Sequence, residues 1–153
     1  MITVIKAILG LGLVALAGCA SPEDKLRPAC AGADRVEVAV SAPADELDDV
    51  SVRACAVRET GALAALIETI DVDSESMPWC KCGGDLRIDF FAGERALVRL
   101  TVHQGEWLRW RDGNWKVQHA LTSASREALD EWLNRHRCPT TATARQACNP
   151  GAR

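Results

Sequence analysis

Cys80, Cys82, His103, Glu106 and His119 are the residues of this chain whose types suit metal binding or proton transfer. Thiolate sulfur and imidazole nitrogen are ordinary donors to zinc, and a carboxylate beside a histidine can act as acid or base. Their spacing matches no standard zinc pattern. Cys-x-Cys can also serve thiol–disulfide exchange, but a thioredoxin-like context would need a βαβ unit before it, and none is visible. The competing reading makes the two cysteines structural disulfide partners, which cannot ligate, and the histidines turn and edge residues. A second set, Arg99, Trp107, Arg109, Arg111 and Lys116, joins an aromatic ring to cations, a combination that stacks on a sugar or grips an anionic partner. The plainer alternative packs the arginine stems over the ring. No glycine-rich phosphate loop, Gly-x-Ser-x-Gly turn or calcium-loop spacing occurs, so neither catalysis nor a cofactor is implied.

The elements that must position these residues are read from hydrophobic period. Val36, Val38 and Val40 alternate as a strand, and Leu63, Leu66, Ile67 and Ile70 recur at helical spacing over about 60–70, with Thr60 as cap. Residues 85–119 predict a four-stranded antiparallel meander. An Asp112-Gly113 hairpin would pair Trp110 with Trp115 and Leu108 with Val117. A loop at His103-Gln104-Gly105 would pair Leu100 with Leu108, and a turn at Ala92-Gly93-Glu94 would pair Ile88 with Val98. One apolar face results: Leu86, Ile88, Phe90, Val98, Leu100, Leu108, Trp110, Trp115 and Val117. The opposite face carries Arg87, Arg99, Arg109, Arg111 and Lys116. Extended further, this register sets Cys82 beside His103 and pairs Glu106 with His119, bringing the candidate metal ligands Cys80, Cys82, His103 and His119 to one end of the sheet. A helix over about 123–136, capped by Ser123, carries Leu129, Trp132 and Leu133. The expected fold is α+β, helices on one side of the meander, stapled by disulfides. Of five Trp, Trp110, Trp115 and Trp132 fall on core faces, while Trp79 and Trp107 are candidates for exposed contacts.

Residues 7–17 form an uncharged apolar run after Lys6, ending in Leu16-Ala17-Gly18-Cys19. The run is too short for a permanent membrane span and reads as a signal peptide. Its end resembles the lipobox of bacterial lipoproteins. The resemblance implies diacylglycerol on the Cys19 thiol, cleavage between Gly18 and Cys19, and acylation, such as by palmitate, of the new α-amino group. Several acyl chains, at roughly 0.8 kcal/mol per buried methylene, would hold the protein on a membrane. Ala20, where Asp would retain the protein at the inner membrane, implies an outer-membrane location facing the periplasm. The mature chain then divides into lipidated Cys19 with a spacer to residue 34, a globular domain over 35–138, and a polar tail over 139–153. A second pattern, Cys80-x-Cys82-Gly83, Ile88-x-Phe90, His103-x-Gly105 and Leu108-Arg109-Trp110, resembles small uncharacterised bacterial proteins and brings no activity.

Seven cysteines in 153 residues suit an oxidising compartment. With Cys19 lipidated, Cys30, Cys55, Cys80, Cys82, Cys138 and Cys148 are expected to form three disulfides. Cys80 and Cys82 are too close in sequence to join each other without strain. Cys138 is expected to pair with Cys148, leaving Cys30 and Cys55 for Cys80 and Cys82.

Composition bounds the rest. At 48% hydrophobic and 25% charged, the chain is neither disordered nor polytopic, and a net charge of −3 gives no pull toward nucleic acid. Residues 34–75 hold 11 acids and 3 bases, and residues 76–153 hold 8 acids and 12 bases, suggesting two faces of opposite sign. The expected protein is a membrane-anchored, envelope-facing lipoprotein with a non-catalytic binding or structural domain. Its partners would be the membrane, through Cys19, and an envelope protein or peptidoglycan. The alternative is a metal-binding or thiol-redox protein.

Overall fold

Residues two apart on a strand share a face, so an alternating sequence builds a sheet with one apolar and one polar side. The computed structural model describes residues 21–41, 51–78, 84–113 and 115–148. Its elements are α1 (Pro22–Ala29), β1 (Arg35–Ser41), β2 (Ser51–Val57), α2 (Thr60–Thr69), β3 (Val72–Met77), β4 (Leu86–Ala92), β5 (Arg95–His103), β6 (Trp107–Trp110), β7 (Gln118–Leu121), α3 (Ser123–Arg135) and α4 (Thr141–Cys148). The strands form one antiparallel sheet in the order β2-β1-β4-β5-β6-β7-β3. The α+β class holds, but the sheet has seven strands where four were expected. β1 and β2 extend the meander at one edge, and β3 closes the other.

One apolar face runs across β1 and β4 to β7 through Val36, Val38, Leu86, Ile88, Phe90, Val98, Leu100, Val102, Leu108, Trp110 and Leu121. Leu26 of α1, Leu63 and Leu66 of α2, Leu129, Trp132 and Leu133 of α3, and Ala144 of α4 belong to the same core. Trp132 Nε1 donates to the Ala62 carbonyl at 2.9 Å and ties α3 to α2. Among the described residues, no helix is long and apolar enough to cross a membrane.

The register differs from expectation by two residues at each turn, which leaves the side chains of the paired strands on their expected faces. Ile88 pairs with Leu100, Leu100 with Trp110, and Leu108 with His119. Between β4 and β5, a bulge at Phe90/Phe91 leads into a two-residue turn, with Gly93 at φ +56°. Between β6 and β7, the Asp112-Gly113 pair makes no tight hairpin, because Gly113 is packed against the Trp110 indole, where a Cβ would fall 1.9 Å from Cδ2. The chain continues as a loop in which Trp115 meets Trp110 edge-to-face at 6.1 Å. Val117 lies in this loop and not in a strand.

Two segments expected to be irregular are helical. In α1, Pro22 opens the helix and the Ser21 N–H donates to Asp24 at 2.9 Å; hydrogen bonding from the Ser21 side chain, and then from its N–H, lowers the Asp24 pKa. Only Leu26 and the following Cys30 are deeply buried there, too few to show a period. In α4, Thr140 caps the helix by accepting from the Thr143 N–H at 3.2 Å, and the Asp130 carboxylate of α3 accepts from the N–H and hydroxyl of Thr141 at 2.9 and 3.0 Å, fixing the same end to α3. The expected helices over 60–70 and 123–136 are α2 and α3, each starting one residue after its cap. Glu59 precedes α2, and Thr122, not Ser123, caps α3 by accepting from the Ser125 N–H at 3.1 Å.

Candidate functional site

Every second residue of the central strands points away from the helices, and these residues form a polar face arranged in rows. Glu37, Asp89 and Arg99 lie side by side, with Arg111 next to them through its N–H to the Arg99 carbonyl at 2.8 Å. Ala39, Arg87, Thr101 and Arg109 form the second row. His103, Trp107 and Ala120 form the third. Arg99, Trp107, Arg109 and Arg111 of the expected partner surface therefore do share one face, while Lys116 lies exposed in the loop after β6.

The arginines surround a carboxylate that is nearly out of water. Asp89 is 4% exposed, and its Oδ2 lies 2.9 Å from Arg87 Nε. Burial raises its pKa, opposed by Arg87, Arg99 and Arg111. Arg99 also faces Asp112 at 3.6 Å. Arg109 is half-buried, and burial followed by the charge of Arg111 lowers its pKa. Arg109 on β6 and Arg111 just after it therefore lie close enough for their charges to oppose one another. Farther along β1, Arg35 stacks over Phe91 at 4.3 Å and bonds Glu37 at 2.8 Å, closing the face at that corner.

His103 is 5% exposed, with Thr101 Oγ1 3.4 Å from its Nε2. Burial lowers its pKa, Asp85 raises it and Arg109 lowers it further. Gly84 fits against this ring, since a Cβ there would approach Nε2 at 3.3 Å. His119 does not join it. Its strand partner is Leu108, so it lies on the apolar face, and its ring meets Trp115 at 5.0 Å. The sheet backbone separates the two imidazoles. Glu106 is not opposite His119 either: its carbonyl accepts from the Leu121 N–H, and its side chain pairs with Arg126 at 3.1 Å. No group of three or more His, Cys, Asp or Glu is placed to hold a metal among the described residues. Cys19, Trp79, Cys80 and Cys82 lie outside those residues.

The cysteines also pair differently from expectation. Cys55 of β2 is bridged to Cys138 after α3, with Cα atoms 5.4 Å apart, which takes Cys138 away from Cys148. Cys55 neighbours Val38 on the helix-covered side, where the end of α3 arrives, a meeting that sequence distance hides. Cys30 is a buried free thiol whose pKa burial pushes up to about 12, the opposite of what a reactive thiolate needs.

Sequence reasoning missed a cavity of about 280 Å³ beside Trp107, lined by Asp73 and Glu75 of β3, Glu106, Ala120 and Arg126. Its missing signal is the pairing of β3 with β7, which brings an acidic edge strand to the tryptophan. No family model matches the chain, and no curated protein or solved structure matches it either.

Proposed function

We propose that the protein is a lipoprotein of the bacterial envelope, held on the outer membrane through acyl chains on Cys19. Its folded domain is a non-catalytic binding module. In this reading the polar sheet face is the contact surface, and the partner is an envelope protein or peptidoglycan carrying negative charge. The observation that supports it most is the line Trp107, Arg109, Arg111 along one strand edge of the face, with Arg99 beside Arg111. Clustered guanidinium groups on a face without a helix contribution to the core favour an anionic partner, by charge complementarity at the rim and through bidentate hydrogen bonds. The lipobox supplies the membrane, and the helices supply a core that needs nothing from the polar side. His103 and His119 do not meet, as the metal alternative requires, and Cys80 and Cys82, on which the thiol alternative depends, lie outside the described residues.

Cell fractionation with in-cell crosslinking tests both halves. Cys19→Ala should move the protein from membranes to the soluble fraction. Arg99→Glu with Arg111→Glu, both at exposed positions, should abolish the crosslinked species while leaving the protein membrane-bound. A Cys19→Ala protein that stays on membranes rejects the anchor, and crosslinks that survive the double reversal reject the face.

A further inference from the structure

We propose that the cavity beside Trp107 is a saccharide subsite, and that the ligand of the polar face is a glycan bearing acidic groups. This rests on the reading of that face as the contact surface and names the chemistry it accepts. Trp107 is half-buried, and its strand partner is Ala120, whose small side chain leaves space next to the indole. That space is the cavity of about 280 Å³, walled by Asp73, Glu75 and Glu106, with Arg126 held at Glu106 by a 3.1 Å ion pair. An indole face takes the apolar C–H side of a sugar ring. Ionised carboxylates only accept hydrogen bonds, so they match a ring whose rim is hydroxyl donors. A phosphate or an acidic peptide would meet like charge there and gain nothing from the indole.

The same strand then changes sign. Arg109 and Arg111 follow Trp107 at two and four residues, roughly 7 and 14 Å along an extended strand, on the same side of the sheet. A purely cationic ligand would fit the cavity but be repelled along this line. A chain with an uncharged, hydroxyl-bearing ring at Trp107 and acidic groups farther on meets complementary chemistry at both places. Hydroxyls in the cavity and carboxylates on guanidinium groups together describe an acidic glycan.

Calorimetric titration of the purified full chain with a hyaluronan octasaccharide, in which uncharged and acidic rings alternate, with poly-glutamate and with neutral maltohexaose tests this. The hyaluronan octasaccharide should bind, with poly-glutamate and maltohexaose each at least about tenfold weaker. Trp107→Leu should weaken hyaluronan octasaccharide binding by about tenfold. Glu75→Ala, on the exposed edge strand where folding does not depend on it, should do the same, and neither should change poly-glutamate binding. Equal binding of both polyanions, indifferent to the two variants but lost in Arg99→Glu with Arg111→Glu, would overturn the saccharide subsite and leave the cationic face standing. Failure of the hyaluronan octasaccharide to bind, or maltohexaose binding as tightly, would likewise overturn it. Polyanion binding that ignores the arginine reversals would overturn the reading of the face itself.

Discussion

A methyl group at Gly113 would lie 1.9 Å from the Trp110 indole, and no rotamer change of a single exposed chain relieves a clash with a ring packed into the core. Gly113 is not in the left-handed region, so its role is close approach and not turn geometry. Gly113→Ala should destabilise the protein by roughly 1–3 kcal/mol, the usual cost of overpacking, read as a lower urea midpoint at unchanged slope. An unchanged midpoint would show that Trp110 is free to move. Gly105 carries the other demand: at φ +70° it sits under Arg145 and Thr141, where a side chain would meet a guanidinium nitrogen at 2.5 Å. The residues chosen for chemistry obey similar local rules. Alternation alone puts His103 with Thr101 and His119 with Leu108, so the two histidines share an end of the sheet but not a side.

At the scale of elements, the Cys55–Cys138 bridge joins the outermost strand β2 to the end of α3 across 83 residues. Such a long closure limits the unfolded chain strongly, and replacing both cysteines by serine should cost roughly 2–4 kcal/mol. Urea denaturation under oxidising conditions measures it; equal stability of variant and parent would mean that β2 and α3 hold each other without the bridge. The central strands and the helices α2 and α3 were legible because each repeats its apolar residues over several turns or pairs. The register slipped by two residues without consequence for the faces, since the alternation tolerates even shifts. What stayed illegible depends on long-range partners. α1 buries Leu26 and Cys30, α4 buries Thr141 and Ala144, and α4, though capped by its own Thr140, is held in place by Asp130 of another helix. β3 runs Asp73-Ser74-Glu75-Ser76, all exposed, and becomes a strand only because β7 lies beside it. For the candidate site, the arginine line on β6 could be read from residue spacing, while the cavity beside Trp107 could not.

Taken whole, the molecule is a sheet with unequal sides. One side is buried under four helices, and the other carries arginine, tryptophan and a few carboxylates. The acidic and basic parts of the chain do not form opposite faces as their sequence positions suggest. β1 and β2 at one edge and β3 at the other come from the acidic part, and the basic strands lie between them. Ion pairs such as Arg87–Asp89 and Arg99–Asp112 knit the face internally, and Arg99 and Arg111 are exposed on it. In the proposed reading, in which lipid on Cys19 holds the domain at a membrane, one helix-covered side and one charged side give it a defined way to meet a partner. Site-specific photocrosslinking in cells tests this most directly, with the crosslinker at position 99 on the polar face or at position 131 on the exposed side of α3. Capture of one envelope component from position 99 and none from position 131 is the predicted result; capture from position 131 alone would contradict it.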